Sequence, residues 1–403
     1  MINTYTLPCK IKLVCENVPY VKSVSIGVWV KSGSAYEEIK YHGMSHFIEH
    51  MLFKGTSSKS AEDIAVAMDA IGGQMNAFTS RDCTCFYTKT LSSDTDTALD
   101  LLSDIIINPS LDEKDIETEK NVVKEEINMY EDAPDDLVLD LLYSECYKGN
   151  PLGRPILGTA ESVSSFTRDD ILKYMKKMYC AENIVVSVVG SFDEAELPEK
   201  VQRYFEKISH GETAADTEKP VFNTGKVSVS KPIEQAHIAV CYPSYGFTEE
   251  NMYAMSLVSN ILGGGMSSRL FQNVREKLGL CYSVYAYQTC YKSTGNVTLY
   301  SGCAKENADK VLSMLLSETK KLKDFTDEEF IRAKNQFRGG FILSNEGISG
   351  RMSTYGKQLL LCGKIKDESY VLSKIDKVNK NDAYEVINFL NNDFCTISTV
   401  IPE

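Results

Sequence analysis

Two stretches of this chain repeat one another, and that repeat limits the fold more than any other feature. Residues 23–30 alternate, with Val24, Ile26, Val28 and Val30 on one face, and residues 235–242 do the same with Ile238, Val240 and Tyr242. Each predicted strand is followed by a Glu-Glu pair, Glu37-Glu38 and Glu249-Glu250, and then by a helical stretch. There Ile48 lies over Val258, Met51-Leu52 over Ile261-Leu262, Gly55 over Gly265 and Ser57-Ser58 over Ser267-Ser268. Duplication of this kind predicts two homologous halves. The polar run through Gly211, Glu212, Asp216, Thr217, Glu218 and Pro220 reads as the join. The expected organisation is therefore a first half over 1–210, a linker over 211–226 and a second half over 227–403. Short strands (85–91, 184–190, 297–304) mix with amphipathic helices (169–178, 309–322), which makes the fold class α+β, each half a mostly antiparallel sheet covered by helices.

Only the first half carries a cluster of histidines. His46-Phe47-Ile48-Glu49-His50 reads H-x-x-E-H, and on a helix the four-residue step puts both imidazoles on one face, as a single zinc requires. Glu49 precedes the second imidazole, where its carboxylate can take a proton from a water that the metal activates. With 5 histidines in 403 residues, chance yields about 0.005 copies of this pattern, so accident does not explain it. In the second half His46, Glu49 and His50 become Ser256, Ser259 and Asn260. That half keeps the scaffold and lacks the metal.

The formal charge of -13 disfavours nucleic acid or an anionic membrane as partner, and 43% apolar content suffices for well-formed cores. No apolar run approaches ~18 residues and the N-terminus lacks a leader pattern, so neither membrane spanning nor secretion is expected. The 12 cysteines are scattered without a C-x-x-C pair and read as reduced, mostly buried thiols of a cytoplasmic protein. Cys83 and Cys85 would share one face of a strand, which fits packing better than a second metal site.

A catalytic zinc needs a third protein ligand. His210 falls in the linker, His237 opens a strand of the metal-free half, and His42, beside Gly43, fits the loop entering the helix. The richest carboxylate segment is 117–131. As a helix it puts Glu119, Val122, Val123, Glu126, Met129 and Tyr130 on one stripe, opposite Thr118, Asn121, Glu125 and Asn128. Burying carboxylates is costly unless they are paired. A metal would offset that cost for Glu126, and Glu119 could orient a histidine ligand.

On these residues the chain resembles the inverted-motif zinc peptidases, the family of pitrilysin, the insulin-degrading enzymes and the mitochondrial processing peptidases. The resemblance covers nearly the whole chain through His42 to His50, the pair Glu119 and Glu126, and Pro-Leu-Gly-Arg-Pro-Ile-Leu-Gly-Thr at 151–159. Length and duplication look most like the processing-peptidase branch. The resemblance implies one Zn2+ per chain held by His46, His50 and Glu126, with Glu49 and Glu119 catalytic. It implies a substrate-binding edge strand at Asn76, Ala77 and Phe78. It also implies a second-half pair, Arg275 and Tyr282, that grips the peptide near the scissile bond. One departure is Asn150, where the family often has histidine.

The expected protein is a zinc metalloendopeptidase cutting extended peptides or unfolded segments, each chain forming half of a clamshell in a homodimer that encloses a chamber. The rival readings are a non-catalytic scaffold or partner subunit of the same fold, and one half of an obligate heterodimeric peptidase.

Overall fold

The computed structural model describes residues 1–390 and 393–403. It contains a six-stranded and a five-stranded sheet. The first is built from β1 (Ile2–Thr6), β2 (Lys12–Asn17), β3 (Ser23–Val30), β4 (Gln74–Thr79), β5 (Thr84–Leu91) and β6 (Ile184–Gly190), in the order β1-β2-β6-β3-β5-β4. The second is built from β7 (Gly225–Lys231), β8 (Gln235–Ser244), β9 (Cys281–Cys290), β10 (Gly295–Ala304) and β11 (Thr396–Pro402), in the order β7-β11-β8-β10-β9.

Setting β1 aside, the two sheets have one topology. Both take their five strands from the chain in the same sequence. Each has a single parallel pair, β2 with β6 and β7 with β11, and is antiparallel elsewhere. The repeated strands 23–30 and 235–242 occupy the equivalent central positions β3 and β8. Duplication and the α+β class are thus written into the strand order.

The compact units are composed differently from the repeats. One consists of Met1–Ile127, Pro155–Thr217 and Leu343–Lys366, the other of Asn128–Arg154, Glu218–Ile342 and Asp367–Glu403. In the first unit, Val24, Ile26, Val28 and Val30 enter one core with Phe47, Ile48 and Met51 of the helix Met44–Leu52. Trp29 points to the opposite face, where Ile348, Met352, Tyr355 and Leu359 of the helix Ile348–Cys362 cover it. Strand β3 is consequently buried on both sides. Glycines permit this closeness: a Cβ at Gly27 would lie 2.3 Å from Met352 Sδ, and one at Gly356 would lie 2.1 Å from Trp29 Nε1. In the second unit the helix Pro134–Cys146 packs on β7, β8 and β11, and the helix Asn251–Gly263 lies along β9.

The expected linker has no regular element between Phe205 and Gly225. Its first part is fastened to the first unit, because Lys31 Nζ donates to Ala214 O at 2.7 Å and to Asp216 Oδ1 at 2.9 Å.

Candidate metal centre

The helix Met44–Leu52 is short, so its position depends on what holds its ends. Gly43 precedes it at φ 90° and sits against Leu157, where any Cβ would meet the Leu157 carbonyl at 2.5 Å. The buried Glu37 carboxylate accepts from the amides of Gly43 (2.7 Å) and Ser45 (2.8 Å), placing negative charge at the helix N-terminus. Ser45 Oγ also meets the hydroxyls of Ser32 and Tyr174. His42 does not join the cluster; its Nε2 lies 2.9 Å from the Pro155 carbonyl. Asn150 caps the turn Pro151–Gly153 by accepting from the Leu152 amide, so a histidine is not needed there.

From this anchored helix His46 and His50 project side by side, their ring centroids 4.6 Å apart. The helix Glu113–Asp132 brings Glu126 to them. Glu126 Oε2 lies 3.6 Å from His46 Nε2 and 3.4 Å from His50 Nε2. These spacings exceed ordinary hydrogen bonds and match donors around an ion: ligands about 2.0–2.2 Å from a tetrahedral zinc stand about 3.4 Å from one another. Among the described residues this is the one group of three or more histidine, cysteine or acidic side chains so gathered, its ligand atoms all within 4.8 Å. Cys83 is instead hydrogen-bonded near Ser80 and Asp82, and burial raises both the Cys83 and Cys85 thiols.

The protonation pattern suits the donor set. Burial, with the charge of His50 nearby, pushes His46 below the usual imidazole range and keeps it neutral. Burial opposes charge on His50 as well, but the carboxylates of Glu119 and Glu126 outweigh it and raise that ring to about 9. Without a metal, then, His50 carries the proton that an arriving cation must displace. Its Nδ1 lies 2.8 Å from Glu119 Oε1, which leaves Nε2 facing Glu126 as a ligand nitrogen should. Glu119 Oε2 in turn meets Lys54 Nζ at 2.5 Å.

Glu49 stays outside the ligand group. Its Oε2 accepts from Thr79 Oγ1 at 2.5 Å, and burial raises its carboxyl above the usual range despite that bond. Thr79 ends β4, an edge strand of its sheet, with Asn76, Ala77 and Phe78 just before it. Asn76 and Phe78 are exposed, Ala77 is half-buried, and the Asn76 carboxamide accepts from the Ala77 amide. Arg275 and Tyr282 belong to the second unit, on the π-helical turn Phe271–Glu276 and on β9. The Arg275 guanidinium lies 5.0 Å from the Tyr282 ring centre, and Tyr282 is 77% exposed, against the core position its residue type alone would suggest. Glu37 and Lys54 went unrecognised in the sequence. Glu37 offered a faint signal, an acid just upstream of a helix start, and stood out only as a marker of the repeat.

A duplicated α+β scaffold with an inverted histidine motif beside a distant carboxylate is the hallmark of one class of zinc peptidase. Residues 12–160 match the profile described as Insulinase (Peptidase family M16), and residues 165–337 match Peptidase M16 inactive domain. An uncharacterized zinc protease, YmxG, of Bacillus subtilis is 42% identical over 94% of this chain and 93% of its own length. An uncharacterized zinc protease of Rickettsia felis is 37% identical over 95% of this chain and 92% of its own length. The chain belongs to peptidase family M16. The fold agrees with solved structures of low identity. A peptidase M16 inactive domain from Pseudomonas fluorescens has a TM-score of 0.94 at 19% identity, covering 100% of this chain and 98% of that one. A protease from Helicobacter pylori has 0.91 at 21%, covering 100% and 99%.

Proposed function

We propose that this chain is a zinc-dependent endopeptidase cutting extended peptides or unfolded segments. The observation that carries the proposal is the convergence of His46, His50 and Glu126, with Glu126 Oε2 at 3.6 and 3.4 Å from the two imidazole Nε2 atoms and the half-buried Glu49 carboxylate beside them. When bound, zinc supplies a Lewis acid that polarises the scissile carbonyl and acidifies the attacking water. His46, His50 and Glu126 hold the ion, one per chain, and Glu119 fixes the His50 ring. Glu49 accepts the proton of the attacking water and then delivers it to the leaving amine, a role suited to a carboxylate whose proton affinity burial has raised. An extended peptide adds to the outer edge of β4 at Asn76, Ala77 and Phe78, so main-chain hydrogen bonds supply affinity with little demand on sequence.

Arg275 and Tyr282 offer a guanidinium fork and a phenol as donors to the peptide near the scissile bond. The proposed assembly is a homodimer enclosing a chamber, in which this pair from one copy meets peptide held at the metal of the other. Such a chamber admits unfolded chains and excludes folded ones. The inactive-domain match spans 165–337, whereas His46, His50 and Glu126 fall within the insulinase match over 12–160; this favours an enzyme over a scaffold. Among the described residues no helix is long and apolar enough to cross a membrane, and with twelve free cysteines we assign the chain to the cytoplasm.

Glu49→Gln is expected to retain zinc while kcat for a quenched peptide falls about 10²–10⁴-fold. Cleavage at the parental rate would remove Glu49 from the reaction.

A further inference from the structure

The carboxylate of Glu119 is divided between two partners. Oε1 faces His50 Nδ1 at 2.8 Å and Oε2 faces Lys54 Nζ at 2.5 Å, with the Glu119 side chain only 3% exposed. Lys54 reaches this position because its amide continues the turn after the helix, donating to Met51 O at 3.1 Å, before Gly55 at φ 125° turns the chain away. The lysine side chain is half-buried, its tip directed inward.

We propose that Lys54 is a positioning residue for the metal centre, acting through Glu119 on the ligand His50; the inference rests on the zinc-site reading above. Two physical reasons support it. A buried carboxylate whose only donor is a neutral imidazole N–H keeps an uncompensated charge, and such a charge relaxes toward solvent or protonates. Lys54 holds it in place with one oxygen left for His50. Charge balance gives the second reason. Glu49, Glu119 and Glu126 bring three negative charges when ionised, a divalent ion answers two, and the Lys54 ammonium answers the third. The ring of His50 is thereby held with Nε2 toward the ion, and partners of this kind commonly affect metal affinity about 10–100-fold.

The test measures zinc affinity of the full-length protein by chelator competition, with unfolding of the metal-free form followed separately. Lys54→Met should weaken zinc binding about 10–100-fold. It should also alter the visible spectrum of the cobalt-substituted protein and lower kcat with KM nearly unchanged, and Lys54→Arg should restore most of each. In a Glu119→Gln background the carboxylate that Lys54 answers is already gone, so adding Lys54→Met leaves neither charge unpaired and should weaken zinc little further. Parental zinc affinity in Lys54→Met, or an undiminished further loss in the Glu119→Gln background, would overturn the role of Lys54. Failure of the peptidase reading looks different: the parental protein binds zinc and cuts no peptide.

Discussion

Apart from β1, the two sheets share strand order and strand sense, yet their equivalent helices carry opposite chemistry. Met44–Leu52 presents His46, Glu49 and His50. Asn251–Gly263 presents Ser256, Ser259 and Asn260, and Ser256 Oγ is spent on Met252 O and Gln288. The long helix before the last strand of each sheet diverges too. Glu113–Asp132 contributes Glu119 and Glu126, whereas its counterpart Asp327–Ser344 has no Asp or Glu after Glu329. The same scaffold thus occurs with and without the group that could bind a metal, and that group draws its side chains from two separate helices.

The largest expected effect comes from writing one half into the other. His50→Asn, which installs the residue of Asn260, should weaken zinc by about 10²–10³-fold and abolish cleavage, measured by chelator competition and a quenched peptide. Wild-type affinity in that variant would break the contrast between the halves.

A smaller effect tests the basic residue that follows each helix. Lys59 pairs with Asp104 at 2.9 Å in the first unit, and Arg269 grips Glu329 with two nitrogens at 2.6 and 2.8 Å in the second. The Arg269 guanidinium holds Glu329 down to about 2 from an ordinary 4.5. A depressed carboxyl contributes stability that is present above about 4.5 and lost as pH falls toward about 2. Glu329→Gln should cost about 2 kcal/mol at neutral pH and flatten stability across that acidic window, read by denaturant unfolding at several pH values. An unchanged profile would show that the pair contributes nothing.

The smallest effect is an expected absence. Ser256→His with Asn260→His rebuilds the imidazole pair without a carboxylate after Glu329, so zinc content per folded chain should not rise. A second stoichiometric zinc would show that two imidazoles suffice.

Much of the candidate site was legible because the residues that could hold a metal obey short-range rules. The four-residue step fixed His46 against His50, and helical spacing joined Glu119 to Glu126. The face of that second helix was less well read. Val122, Met129 and Tyr130 were expected on the inner stripe but are exposed, while Ile116, Lys120, Val123 and Ile127 form the buried line. Glu119 and Glu126 flank Val123 on consecutive turns; Glu119 is buried and Glu126 stays partly open toward the imidazoles. Periodicity gives the spacing of a face but not its rotation by one residue, which tertiary packing decides. The helix Ile348–Cys362 eluded the sequence for a related reason. Its place over Trp29 joins residues more than three hundred positions apart, and only the paired glycines Gly27 and Gly356 hint at so close an approach.

The proposed chemistry requires zinc held jointly by His46, His50 and Glu126. Zinc content of protein purified without added metal, compared between the parental chain and Glu126→Ala, tests this most directly. One zinc per parental chain and little in the folded variant is the predicted result; equal zinc in both, or none in the parental chain, would contradict it.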